Sequence, residues 1–211
     1  GLTINSGTVT ANGNYGLYAS GCDLTINGGE VTATGSDTGI FADGGSLTAE
    51  NCTIIVTGTN GYGTKSTGGH TTLTNCIVTS TGGKSGIYTQ ISGNNIIISG
   101  GEVEAYNTNS DNYSDGAISS TSGSVSVTNA TITAGGNSIS VYAAIGITFD
   151  GSTVTVSNGY IYSPGSINVT NSDITAESIE AKNDIIIDGS TVTTSARFYT
   201  QSGNAIIRNN N

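Results

Sequence analysis

One stretch, Asp23 to Gly45 (DLTINGGEVTATGSDTGIFADGG), constrains the fold most, because nearly all of the chain can be laid on it. It holds three short alternating runs, Leu24-Thr25-Ile26, Val31-Thr32-Ala33 and Ile40-Phe41-Ala42, separated by Gly, Asn and Asp. Aligning on the small residue two before the second run gives anchors at Gly7, Gly29, Cys52, Cys76, Gly101, Ala130, Ser152, Ser172 and Ser190. Their spacings are 22, 23, 24, 25, 29, 22, 20 and 18 residues, and a partial tenth unit passes through Ala205-Ile206-Ile207. A period near 22 residues with several short strands per unit is the signature of a β-solenoid. Each repeat then buries its apolar face by stacking on its neighbours.

Within a unit, a period of two puts alternate residues on one face. The first run supplies inward pairs such as Leu24/Ile26, Ile96/Ile98 and Ile185/Ile187. The second supplies Val31/Ala33, Ile54/Val56 and Val154/Val156. The third supplies Leu17/Ala19, Ile40/Ala42, Thr64/Ser66, Ile87/Thr89, Ala117/Ser119, Val141/Ala143, Ile161/Ser163, Ile179/Ala181 and Phe198/Thr200. A two-residue corner separates the first two runs, as in Asn27-Gly28, Glu50-Asn51, Thr128-Asn129 and Asp188-Gly189. Asn or Gly recurs at its second position because those residues accept the left-handed conformation of a tight bend.

The predicted architecture is therefore all-β. It is a single-stranded parallel β-helix, or β-solenoid, forming one domain over residues 1–211, with about nine to ten coils and three strands per coil. Coils about 4.8 Å apart make a rod roughly 45 Å long. A loop of variable length separates the second and third strands and is longest at Tyr106 to Gly116. The chain opens in repeat phase without a leader signal, which predicts a mature protein or a piece of a longer one. Open solenoid ends template association, so flanking segments or end-to-end self-contact are expected.

The stacked aliphatics and Asn-containing corner resemble the right-handed parallel β-helix of the pectin lyase-like superfamily. The LTINGG-VTA type of repeat, at Leu24 to Ala33 and again at Ile96 to Ala105, is also similar to adhesin-like, carbohydrate-binding-domain surface proteins of gut bacteria. This resemblance implies a right-handed coil, a secreted or cell-surface bacterial location and a polysaccharide, host-glycan or cell-wall-glycan partner.

Charge excludes other partner classes. The net charge is −10, and Lys65, Lys84, Lys182, Arg197 and Arg208 are the complete set of lysines and arginines. Five scattered cations make no basic patch, so nucleic acid is excluded as a partner. No apolar run approaches the ~20 residues of a membrane-spanning helix, so membrane insertion is not expected.

The middle residue of each third strand is predicted to point outward. These residues are Tyr18, Phe41, Lys65, Tyr88, Ile118, Tyr142, Tyr162, Glu180 and Tyr199. Tyr15, Tyr62, Tyr106, Tyr113 and Tyr160 lie in the loop just before that strand, so all ten tyrosines are expected in one sector. Such a stripe has two readings. Apolar sugar faces could stack on Tyr18, Phe41, Tyr62, Tyr88, Tyr106, Tyr113, Tyr142, Tyr162 and Tyr199 while the loops bond hydroxyls. Alternatively the rings form a ladder that stabilises the sheet, and the rod is a structural stalk.

The second outward face carries Thr-x-Thr pairs such as Thr131/Thr133 and Thr153/Thr155, and resembles the ice-binding face of β-helical antifreeze proteins. Glu30, Ile55, Ile77, Glu102, Glu104 and Asp173 interrupt it, and strand propensity accounts for the threonines. Lyases and hydrolases of the resembled fold need clustered Asp with Arg, Lys or His. Here the single histidine, His70, sits in a turn and no catalytic residue is assigned, so a polysaccharide lyase or hydrolase is the third reading, behind glycan binding and a stalk. The long loop sets oxygens at Asn107, Asn109, Asp111 and Asp115, a weak match to a calcium loop that lacks a closing Glu; otherwise no cofactor is expected. Cys52 and Cys76 fall at one corner position of adjacent coils. Two buried thiols are the preferred reading, and a disulfide also fits the coil spacing.

Overall fold

The computed structural model describes residues 1–109, 114–136 and 139–209. These form 22 strands and no helix, and every strand pairing is parallel. The chain winds as a right-handed β-solenoid of about nine turns, the hand that parallel crossovers favour. Without a helix, no segment of the described residues is long and apolar enough to cross a membrane as one.

Three stacks of strands run the length of the rod. In the first, Leu2 registers with Leu24, Leu24 with Leu47, Leu47 with Thr71, and Thr71 with Ile96. In the second, Val9, Val31, Ile54, Val78, Val103, Ile132, Val154, Ile174 and Val192 follow one another. Like side chains thus lie on like side chains, and the alternation becomes one continuous apolar core. Leu24, Ile26, Ile54, Ile96, Ile98 and Ile147 are wholly buried in it. Burial fades at both ends, where Leu2, Ile4, Val192 and Phe198 are only partly covered and Ile207 is 61% exposed.

The corner between first and second strands behaves as its residues demand. Gly28, Asn51, Asn75, Gly100, Asn129, Gly151, Asn171, Gly189 and Asn209 all have positive φ, between 48° and 90°. The corner N–H donates to a carbonyl of the following coil, as from Asn51 to Thr74 at 2.9 Å and Asn129 to Asp150 at 2.9 Å. A second device shapes the entry to the third strand. A Cβ at Gly39 would lie 2.1 Å from Val56 Cγ2, and one at Gly63 would lie 2.6 Å from the Gly86 carbonyl oxygen. Glycine lets successive backbones close on each other there.

One predicted register is corrected. The fifth coil was expected to turn Ala117 and Ser119 inward and Ile118 outward. Ile118 instead registers with Ile87 and Val141, is wholly buried, and brings Ser119 into line with Tyr88 and Tyr142. Placing the larger aliphatic in the core buries more apolar area, and a one-residue slip moves every side chain to the opposite face. All three cysteines are free thiols, as the buried-thiol reading expects for Cys52 and Cys76.

Two measurements probe these features. Asn129→Gly should leave the denaturant midpoint nearly unchanged, whereas Asn129→Val should destabilise by about 1–2 kcal/mol, because a branched Cβ opposes the left-handed bend. Ile118→Ala should cost about 2–5 kcal/mol and Ser119→Ala only about 1 kcal/mol. Equal costs, or the reverse order, would contradict the register.

Candidate functional site: an aromatic face in two blocks

The outward column of the third stack is Tyr18, Phe41, Lys65, Tyr88, Ser119, Tyr142, Tyr162, Glu180 and Tyr199 in unbroken register. Eight of its nine positions are those expected, and Ser119 replaces Ile118. That replacement divides the aromatic face. The Ser119 hydroxyl is buried and donates to the Ser114 carbonyl oxygen, so the end of the long loop folds over the column at this coil. The Asn107 side-chain amide ties the same loop down by donating to the Asp115 carbonyl oxygen at 2.7 Å.

In the first block the rings are engaged with each other. Tyr15 stacks on Tyr18 at 5.0 Å between centroids, and both contact Phe41, at 5.4 and 5.5 Å. The Tyr18 hydroxyl donates to Asp43 at 2.9 Å. Tyr62 and Tyr88 lie 4.3 Å apart, and Tyr88 is only 6% exposed. The Lys65 ammonium sits over three rings, 4.6 Å from Tyr62, 5.0 Å from Phe41 and 5.9 Å from Tyr88. Burial lowers the Lys65 pKa, opposed by the carboxylates of Asp37 and Asp43 and assisted by Lys84. Burial likewise pushes the Tyr62 phenol up, reinforced by Tyr88, Asp115 and Asp37. This block is a cation-centred aromatic cluster in which Tyr88 is buried and the 43%-exposed Tyr18 is tied by its hydroxyl to Asp43.

The second block is open. Tyr142, Tyr160, Tyr162 and Tyr199 line a concave trough of about 690 Å³, with Ser114 and Ile139 at one end and Pro164, Glu180, Arg197 and Gln201 at the other. Tyr142 and Tyr162 are 6.0 Å apart, while Tyr199 is 46% exposed. Burial raises the Tyr142 phenol, with Tyr162 adding to it. Arg197, 69% exposed, reaches the 21%-exposed Glu180 at 3.7 Å, a surface pair of the kind that contributes little to stability. The trough therefore combines apolar ring surface with phenol, carboxylate, guanidinium and amide groups, the mixture that recognises a polyhydroxylated ring.

The remaining predicted residues fall elsewhere. Tyr106 departs from the expected single sector. It registers with Thr81 and Gly135 in the second stack, and lines a separate shallow depression with Thr108, Ser157 and Asn158. Tyr113 and Asp111 lie outside the described residues. Asn109 is exposed and continues the pairing of its coil, its N–H donating to the Gly83 carbonyl oxygen at 2.7 Å, while Asp115 is folded into the covering loop. Among the described residues no group of three His, Cys, Asp or Glu side chains could hold a metal ion. His70 accepts a hydrogen bond at Nδ1 from the Asn95 N–H, 2.9 Å away, which makes it a tie between coils. Glu180, Arg197 and Gln201 were not singled out by sequence reasoning. The register column contains Glu180 and would have pointed to its neighbours.

No protein-family model, curated protein or solved structure matches this chain. The resemblance drawn from the LTINGG-VTA repeat therefore rests on the residue pattern alone.

The Tyr62 phenol gives a pH test. Its folded pKa lies above the ordinary value near 10, so the native state holds this proton more tightly than the unfolded chain does. The resulting stability is fully present below about pH 10 and is lost as pH rises towards the folded pKa. Tyr62→Phe should flatten the alkaline fall of the urea midpoint, and absorbance titration should lose its last-ionising phenol.

Proposed function

We propose that this chain is a non-catalytic module of adhesin type, secreted or displayed on a bacterial surface, that binds glycan in the Tyr142–Tyr199 trough. The observation that carries this reading is the contrast between the two aromatic blocks. Rings in the first are spent on each other and on Lys65, whereas rings in the second line an open concavity beside polar groups. A sugar ring fits such a surface because its C–H face stacks on phenol rings while its hydroxyls meet Glu180, Arg197 and Gln201. The net charge of −10 favours a neutral glycan over a polyanionic one. The likeness of the repeat to adhesin-like and pectin lyase-like β-helices supports a surface setting and a polysaccharide partner.

A second reading, a structural stalk, draws on the first block. Tyr88 is buried, and the rings of its block pack on one another and on Lys65, as a stabilising ladder would. The two readings coexist if the N-terminal coils are scaffold and the C-terminal coils carry the site.

Affinity electrophoresis through neutral polysaccharide gels separates them. The native chain should be retarded, and Tyr162→Ala and Tyr199→Ala should each weaken retardation by about 2- to 10-fold in Kd. Tyr18→Ala should leave retardation intact. No retardation on any glycan would leave the stalk reading in place, and equal loss from Tyr18→Ala and Tyr162→Ala would overturn the assignment of binding to the trough.

A further inference from the structure

The corner position that precedes the second strand carries Gly29, Cys52, Cys76, Gly101, Ala130, Ser152, Ser172 and Ser190 in successive coils. In the last three coils it forms a hydroxyl ladder. Ser152, Ser172 and Ser190 each donate to the carbonyl two residues back, at 2.9, 2.7 and 2.8 Å. Each also accepts the N–H of the same position one coil earlier, at 3.3, 3.0 and 3.1 Å. Cys76 repeats the first of these bonds, with its thiol 3.3 Å from the Thr74 carbonyl oxygen. The thiols therefore fill a place that serine fills elsewhere, and packing alone does not require sulfur there.

What sulfur adds is a reaction. The Cys52 and Cys76 Sγ atoms lie 3.1 Å apart, 24 residues distant in sequence and one coil apart in space. Adjacent coils are spaced by about 4.8 Å, inside the roughly 4.4–6.8 Å window between Cα atoms that a disulfide spans. The sulfurs need to approach by only about 1 Å to reach bonding distance. Cys52 is 5% and Cys76 1% exposed, and Cys52 lines a shallow surface depression with Asn51, Thr53, Asn75 and Ile77. That depression gives a small oxidant a way in. The two thiols also share one hydrogen bond in which either can be the donor, and that contact favours the thiolate of the accepting sulfur over that of the donor.

We propose that Cys52 and Cys76 are an oxidisable pair that a peroxide converts into a disulfide bolting the third coil to the fourth. The thiolate of one of the pair attacks one peroxide oxygen, the O–O bond breaks, and hydroxide leaves, giving a sulfenic acid on that cysteine. The sulfur of the other cysteine then attacks the sulfenic sulfur, its proton is lost, and the sulfenic hydroxyl departs as water. In sum, two thiols and one hydrogen peroxide give one disulfide and two waters. Because the pair bridges coils at a corner, the bond closes without moving the tyrosine column, and the rod gains a covalent tie in an oxidising environment.

The test uses the full chain. Reduced protein is treated with hydrogen peroxide, unfolded, and alkylated with N-ethylmaleimide, and its labels are counted by intact mass and peptide mapping. Untreated protein should carry three labels, on Cys22, Cys52 and Cys76. Oxidised protein should carry one, on Cys22, together with a crosslinked Cys52–Cys76 peptide that dithiothreitol abolishes. In Cys52→Ser, which places at this corner the residue that Ser152 and Ser172 already carry, the Cys76 sulfur should form no internal disulfide. Retention of all three labels would overturn the proposal. So would sulfinic acid at either position without the crosslink, or pairing of Cys52 or Cys76 with Cys22 or with another chain.

Discussion

Everything in this molecule depends on coil-to-coil register. Each residue of a strand sits over its counterpart about 22 residues earlier, and the parallel ladder fixes the pair at roughly 4.8 Å. At that distance like must pack on like. An aliphatic column becomes a core, a left-handed Asn or Gly column becomes a corner, and an outward column becomes a face. The corner carries a large share of the specification, because nine positive-φ residues in sequence hold the angle between the first and second stacks. A right-handed bend in any one of them would break the ladder on both sides. Its effect would not stay local, since each coil is covered only by its neighbours.

Much of this was legible in the residues alone. Leu24, Ile26, Val31 and Ala33 announce their faces by alternation, and Asn51, Asn75, Asn129 and Asn171 announce the bend by chemistry. The variable loop could be placed because it interrupts an otherwise repeating text. At Ile118 alternation stops deciding the face. A long loop erases the count from the previous strand, and the three residues Ala117, Ile118 and Ser119 permit two phases. The core decides between them by burying the larger aliphatic. Tyr106 was misplaced for a related reason, since the second strand runs on past Ala105 to Asn107 and carries the ring with it.

The candidate site was legible as a column but not as a shape. Alternation gives the outward positions, and eight of the nine are as expected. It says nothing of how loops fold over them. Ser114 and Asp115 cover the middle of the column, Lys65 draws the N-terminal rings together, and the C-terminal rings line a concavity beside polar groups. The same repeat therefore produces a scaffold at one end and a concave polar–aromatic surface at the other. At the cysteine corner, too, periodicity supplies the geometry, and one substitution in adjacent coils supplies the chemistry.

The most direct measurement is a crystal of the protein soaked with neutral oligosaccharides. Glycan binding in the trough predicts electron density for a sugar ring stacked on Tyr162 or Tyr199, with hydroxyls within hydrogen-bond distance of Glu180, Arg197 or Gln201. Density for sugar over Tyr18 and Phe41, or an empty trough in crystals of protein that polysaccharide retards, would contradict it.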